Sequence, residues 1–175
     1  LLDYRGYGES EGQPSERGLY RDGEAALLHL RSRQDVDPGR IVVWGRSIGA
    51  AVAVYLAAGD PGGAPAVAGV ILESPFTSVQ DLLRAGGHLV LYAASRFGTY
   101  RFDSAARIGR VAAPVLIIHG TDDEIAPFEL GRTLYDLAPG RKELAAIRGG
   151  GHNDLFPLHA GELWDAAQRF LASLE

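Results

Sequence analysis

The sequence predicts an α/β fold, a mostly parallel sheet with helices on both faces. Three observations carry this prediction. Short apolar runs rich in β-branched residues stand at 41–44 (IVVW), 67–72 (VAGVIL) and 115–118 (VLII), and unbroken runs of this kind mark strands buried on both faces. Segments of helical periodicity separate them, which gives the strand–helix alternation of a parallel sheet. At 175 residues, with 46% hydrophobic and 22% charged residues, the chain is long enough for one domain with its own core.

The elements follow in order. The opening LLDYRGYG reads as the last residues of a strand running into a turn, and methionine is absent, the initiator included. Both features predict a piece of a longer protein whose first strands precede Leu1. Pro14-Ser15 starts a helix with Leu19, Gly23, Ala26, Leu27 and Leu30 on one face. Asp37-Pro38-Gly39 breaks the chain before the strand at 41–44, and GRSIG then leads into an alanine-rich helix over 50–58 that should itself be buried. A loop at 59–65 precedes the strand at 67–72, which ends in ESPFTS. Residues 78–110 hold one or two helices and are expected to form a short cap-like insertion over the site. The strand at 115–118 runs into HGTDDEIAP, and Leu130, Leu134 and Leu137 mark a helix closed by Pro139-Gly140. A fourth strand is expected at 143–147, followed by glycines 149–151 and His152. The last helix should turn Leu163, Ala166, Ala167, Phe170, Leu171 and Leu174 inward. No linker divides the chain, so residues 1–175 are expected to form one domain.

Composition narrows the function classes. A formal net charge of -5 with no Lys/Arg run argues against a nucleic-acid partner. The absence of cysteine excludes disulfides, thiolate metal sites and a cysteine nucleophile. The longest apolar run, 50–58, is too short to span a bilayer, and no signal-like segment opens the chain. The default location is cytoplasmic, with membrane association left to whatever precedes Leu1.

The elbow pattern G-x-S-x-G occurs twice, at 8–12 (GESEG) and 45–49 (GRSIG). An elbow nucleophile needs a strand before it and a helix after it, so that the turn lifts the hydroxyl above the sheet with the helix N-terminus aimed at the site. GRSIG has both, and the flanking glycines keep Cβ atoms out of a crowded turn. GESEG runs into Gln13-Pro14, which cannot continue a helix, and Glu9 and Glu11 would destabilise an oxyanion beside Ser10. Ser47 is therefore the candidate nucleophile and Ser10 a turn residue; the bland alternative for Ser47 is a helix-capping serine.

The partners should follow in the order Ser, Asp/Glu, His. Of the five histidines, His29 lies within an amphipathic helix, His88 in the 78–110 segment, His119 at a strand end and His159 at the start of the last helix. His152 follows the glycine run after the last strand, on a loop that can reach back across the strand ends. For the acid, Asp122, Asp123 and Glu124 lie just beyond a strand end, and Glu73 ends the preceding strand. The acid orients the imidazole and must be held rigidly; the residues alone leave these four open.

DYRGYGES, GRSIGA, ESPFTS, the PVLIIHGTDDEIAPF stretch and GGGHNDLF resemble successive landmarks of the α/β-hydrolase superfamily, most closely its abhydrolase-domain and serine-aminopeptidase-like branch, which includes depalmitoylating thioesterases. The resemblance covers almost the whole chain. The family's acid-loop pattern H-G-x-x-D-x-x-x-P falls on His119, Gly120, Asp123 and Pro127, so it selects Asp123 as the acid; it puts the nucleophile on Ser47 and the base on His152. It implies a serine hydrolase acting on an ester or thioester of a small-molecule or acyl substrate through a Ser-His-Asp triad. The backbone N–H of Ile48 would be one oxyanion donor, and no metal or organic cofactor is implied. The family's second donor sits on an HG-type turn after its third strand. Here the one His-Gly pair, 119–120, is in the acid loop, so that turn and strand are expected before Leu1. The 175-residue chain alone is then expected to be weakly active and prone to associate. The alternatives are a peptidase or acyltransferase on the same triad, or a non-catalytic scaffold. The 78–110 segment, VLYAASRF within it, is expected to overhang the site and line an acyl pocket, with a plain packing helix as the alternative.

Overall fold

The computed structural model of the chain describes residues 1–59, 67–87 and 100–174. Among the described residues four strands form one parallel sheet: β1 (Val42–Arg46), β2 (Gly69–Glu73), β3 (Val115–Gly120) and β4 (Lys142–Ile147), side by side in that order. The described helices are α1 (Glu16–Ser32), α2 (Ile48–Ala58), α3 (Val79–Ala85), α4 (Ala105–Ile108), α5 (Phe128–Leu137) and α6 (Leu155–Ala172), with a short 3-10 turn at Pro38–Arg40. This is the α/β architecture expected from the alternation of apolar runs and helical periods.

The sheet separates two apolar layers because successive side chains on a strand face opposite ways. Val70, Leu72, Val115 and Ile117 face a core completed by Leu19 and Leu27 of α1, Val52, Val54 and Leu56 of α2, Ile108 of α4 and Leu134 of α5. Ile71, Leu116 and Ile118 face the other way, onto Leu163, Ala166, Ala167 and Phe170 of α6. Residues of β2 and β3 are buried throughout. α2 is apolar all round, and Ala50 through Val54 are buried, since this helix lies between the sheet and α1.

Several expectations need correction. The strand at 41–44 was expected to be buried on both faces, but β1 is mostly half-buried; among the described residues β2 is its one strand neighbour. The opening residues form no strand, but run irregularly into turns, with Arg5 Nη2 donating to Asp22 Oδ1 of α1 at 2.6 Å. Leu171, expected inward, is 41% exposed. Within 78–110, α3 and α4 bound a stretch whose residues 88–99 lie outside the described residues. The expected acyl-pocket lining by VLYAASRF falls there, as does His88, and 60–65 of the expected loop are likewise outside.

The register sets the site. Arg46 of β1 is level with Glu73 of β2, and Glu73 with Ile118 of β3. Three strands therefore deliver their carboxyl ends to one edge, where ligands bind in open α/β sheets.

Candidate active site

Ser47 sits between the last residue of β1 and the first of α2, with φ 52° and ψ -116°. A non-glycine residue at positive φ is strained, by about 1–3 kcal/mol, and is retained only where surrounding packing enforces it. The turn is tight: a Cβ added to Gly45 would lie 2.1 Å from the Gly49 carbonyl oxygen. Gly49 differs, because a Cβ there would meet only Tyr4 Oη, at 3.8 Å. The crowding anticipated for both flanking glycines thus applies to the first of them. A further bond, Ser47 N–H to the Glu73 carbonyl at 2.9 Å, ties the turn to β2.

The Ser47 hydroxyl makes no capping hydrogen bond to its helix. Ser15 and Ser78, by contrast, cap α1 and α3 by accepting from Gly18 N–H at 3.1 Å and Asp81 N–H at 3.0 Å. Ser47 Oγ lies instead 3.2 Å from His152 Nε2. Ser10 belongs to the opening turn, donating from Oγ to the Asp3 carbonyl at 2.9 Å.

His152 is 5% exposed, on the loop between β4 and α6. That loop is held by Asp122 N–H to the Gly150 carbonyl (3.0 Å), by Gly149 N–H to Thr121 Oγ1 (2.9 Å) and by Gly151 N–H to Asp154 Oδ1 (2.6 Å). Its Nδ1 lies 3.0 and 2.9 Å from the two carboxylate oxygens of Asp123. The network assigns the ring proton to Nδ1 and leaves the Nε2 lone pair facing Ser47.

Asp123 is the buried member of its acidic run; Asp122 and Glu124 are exposed. Its Oδ1 also accepts from the backbone N–H groups of Ile125 (3.0 Å) and Ala126 (2.7 Å). Burial pushes its pKa upward, but hydrogen bonds from His119, His152 and Ala126 N–H outweigh it. The carboxyl is held well below the usual carboxylate range and stays ionised. Asp122 accepts from Thr121 Oγ1 at 2.8 Å. Glu124 Oε2 lies 3.4 Å from His152 N. Ile48 opens α2, where backbone N–H groups have no intrahelical acceptor.

Two neighbours were given no role by the motifs. His119 is fully buried, with Nε2 donating to the Ala126 carbonyl at 2.7 Å and lying 3.4 Å from Asp123 Oδ2. The H-G-x-x-D pattern holds it, yet a strand-end histidine reads as plain packing. Arg46, the variable position of GRSIG, reaches across to the His152 loop. Glu73, the fourth acid candidate, is bound to Trp44 Nε1 at 3.1 Å and lies 3.3 Å from Arg46 Nε. Its carboxyl pKa is pushed up by burial, against Trp44, Arg46 and His152.

Comparison with known proteins agrees with this architecture. Residues 1–101 match the family described as "Serine aminopeptidase, S33". An uncharacterized protein of Mycobacterium tuberculosis is 42% identical over 171 residues, 98% of this chain and 58% of that protein. The alpha/beta hydrolase domain-containing protein 17C of Xenopus tropicalis is 42% identical over 156 residues, 87% of this chain and 46% of its own length. The chain thus spans about half the length of the curated relatives it matches. Among solved structures, the acetyl xylan esterase from Paenibacillus sp. R4 superposes with a TM-score of 0.76 at 22% identity, covering 98% of this chain and 64% of that one. With a parallel four-stranded sheet, helices on both of its faces and this match over more than half its length, the chain belongs to the serine aminopeptidase S33 family of the α/β-hydrolase superfamily.

Proposed function

We propose that this chain carries the catalytic machinery of a serine hydrolase that cleaves a carboxylic ester or thioester. The observation that carries the reading is the hydroxyl of Ser47: it stands at a helix start, leaves the helix uncapped and faces His152 Nε2. In this reading His152 Nε2 takes the Oγ proton as Oγ attacks the acyl carbonyl. The carbonyl oxygen becomes an oxyanion that accepts from Ile48 N–H at the positive end of α2. His152 then returns the proton to the leaving oxygen or sulfur, and a water repeats the cycle on the acyl-enzyme. Asp123 fixes the imidazole through Nδ1 and stabilises its charged form.

Treatment with a fluorophosphonate, followed by mass spectrometry, should place the adduct on Ser47; an adduct on Ser10 would sink the assignment. Ser47→Ala should lower turnover by about 10⁴–10⁶-fold, as loss of a triad nucleophile does, while Ser10→Ala changes it only slightly. The family's description supports a second reading, a peptidase on the same three residues. A p-nitrophenyl ester series of increasing acyl length, run beside aminoacyl-naphthylamides, decides between them. Preference for the amides overturns the ester reading.

A further inference from the structure

Ser47 and His152 are 105 residues apart in sequence, and a hydrogen bond of 3.2 Å between them requires that two separate elements be held in register. One is the turn after β1. The other is a loop with three consecutive glycines, 149–151, which contribute no side chains of their own to pack. Among the described residues, the other hydrogen bonds joining β1 to this loop both come from Arg46, the residue immediately before Ser47. Arg46 Nη2 donates to the His152 carbonyl at 2.6 Å and to Asn153 Oδ1 at 2.8 Å.

The guanidinium is itself anchored. Its Nε lies 3.3 Å from Glu73 Oε1, on the strand next to β1, and the Glu73 side chain is 10% exposed. Glu73 Oε2 accepts from Trp44 Nε1 at 3.1 Å, and the Trp44 ring packs edge-on against Trp164 of α6, with centroids 5.4 Å apart. The guanidinium meets the Glu73 carboxylate at Nε and the two loop oxygens at Nη2, contacts on separate nitrogens of one rigid plane that a lysine ammonium would have to make from a single point.

We propose that Arg46 is a positioning residue: its guanidinium sets the separation of Ser47 Oγ and His152 Nε2 by tying the strand that ends just before Ser47 to the backbone of the His152 loop. Glu73 holds the guanidinium in place, which gives this buried acid a task other than orienting the imidazole. The inference rests on the serine-hydrolase reading for its consequence in rate, though not for its consequence in geometry. Arg46→Met keeps the apolar stem and removes the fork. Arg46→Gln keeps a polar head too short to reach the loop, so that failure of one variant to fold leaves the other in hand.

Two measurements on each variant test the proposal. The first is the rate constant for fluorophosphonate labelling of Ser47. Misplacing a catalytic group by about 1 Å costs up to roughly 10²-fold, and we expect a fall of about 10- to 100-fold, recovered in part by added guanidinium ion. The second is the downfield proton NMR signal of His152 Nδ1–H bonded to Asp123, expected to broaden or vanish in both variants at an unchanged melting temperature. Wild-type labelling rate and an unaltered resonance in a folded variant overturn the proposal. So does a rise in KM for esters with kcat and the resonance unchanged, which would put Arg46 on the substrate rather than on the loop. If the wild-type protein itself is not labelled, the hydrolase reading fails, and the resonance alone then decides whether Arg46 positions His152.

Discussion

Asp123 accepts hydrogen bonds from His152 Nδ1 and from the N–H groups of Ile125 and Ala126, and His119 Nε2, which donates to the Ala126 carbonyl, lies 3.4 Å from its Oδ2. Its neighbour Asp122 is exposed and bonds the Thr121 hydroxyl beside it. Asp123→Asn should therefore lower turnover by several orders of magnitude, about 10⁴-fold where an amide imposes the wrong imidazole tautomer. Asp122→Asn should have a mild effect. Equal losses in the two variants, or a larger loss in Glu73→Gln, would move the acid elsewhere. The same contacts set a pH dependence. The folded-state pKa of Asp123 is depressed below 3.8, so its contribution to stability is present above about pH 4 and is lost as pH falls through the folded value. Urea midpoints should show wild type well above Asp123→Asn at neutral pH, with the gap narrowing in acid; a gap that widens in acid contradicts the assignment. Glu73 has the opposite sign. Burial raises its folded pKa, so its contribution is present in acid and is lost as pH rises through that value. At this scale the sequence was legible where a motif names a residue type. It was silent at Arg46, because G-x-S-x-G leaves that position free, and at His119 the acid-loop pattern named the residue without its role, since packing and support of the acid use the same side chain.

The elbow is where element geometry is most demanding. A Cβ on Gly45 would fall 2.1 Å from the backbone oxygen of Gly49, and backbone cannot swing aside as a side chain can. Gly45→Ala should therefore cost about 1–3 kcal/mol or more, as overpacking does, and should shift Ser47 from its positive φ. Gly49→Ala faces only ordinary contact and lies inside α2, where alanine is better than glycine by up to about 1 kcal/mol. It should leave stability unchanged or raise it. Chemical denaturation of the two variants checks this, and an equal loss in both would mean that the turn is crowded at both ends. The strands were legible because β2 and β3 are continuous apolar runs bounded by Gly and Pro, and burial on both faces leaves no other pattern. Leu171 was misplaced because helical period alone marks a face, whereas its exposure depends on how far the neighbouring elements extend. The half-burial of β1 was invisible for a related reason: a strand's place in the sheet is set by contacts distant in sequence.

Over the whole molecule, the sheet's two layers are closed beneath β2 and β3 and more open at the edge strands β1 and β4. Among the described residues β1 has β2 on one side and no strand on the other. A groove of about 540 Å³ runs along that side, lined among others by Leu2, Tyr4, Leu27, Leu30, Val43 and Leu56. Leu2 is 43% exposed there. An unpaired strand edge offers a row of backbone donors and acceptors, and an adjoining apolar groove adds a hydrophobic drive for a second strand to occupy it. The nearest source of such a strand in a pure solution is the same edge of another copy, which would pair the two β1 strands about a two-fold axis. The 175-residue chain should therefore associate as its concentration rises, read by light scattering coupled to size exclusion. Val42→Lys puts a charge at the half-buried start of β1, where the aliphatic stem can stay on the sheet while the ammonium reaches water. It should shift the distribution toward monomer without changing the circular dichroism. A wild-type chain that stays monomeric at every concentration would show that this edge is already protected. Association that persists unchanged in the lysine variant would place the contact on a different face, and the exposed side chains of α6, Phe156 and Leu158 at 63% and 73% exposure, would be the next surface to charge.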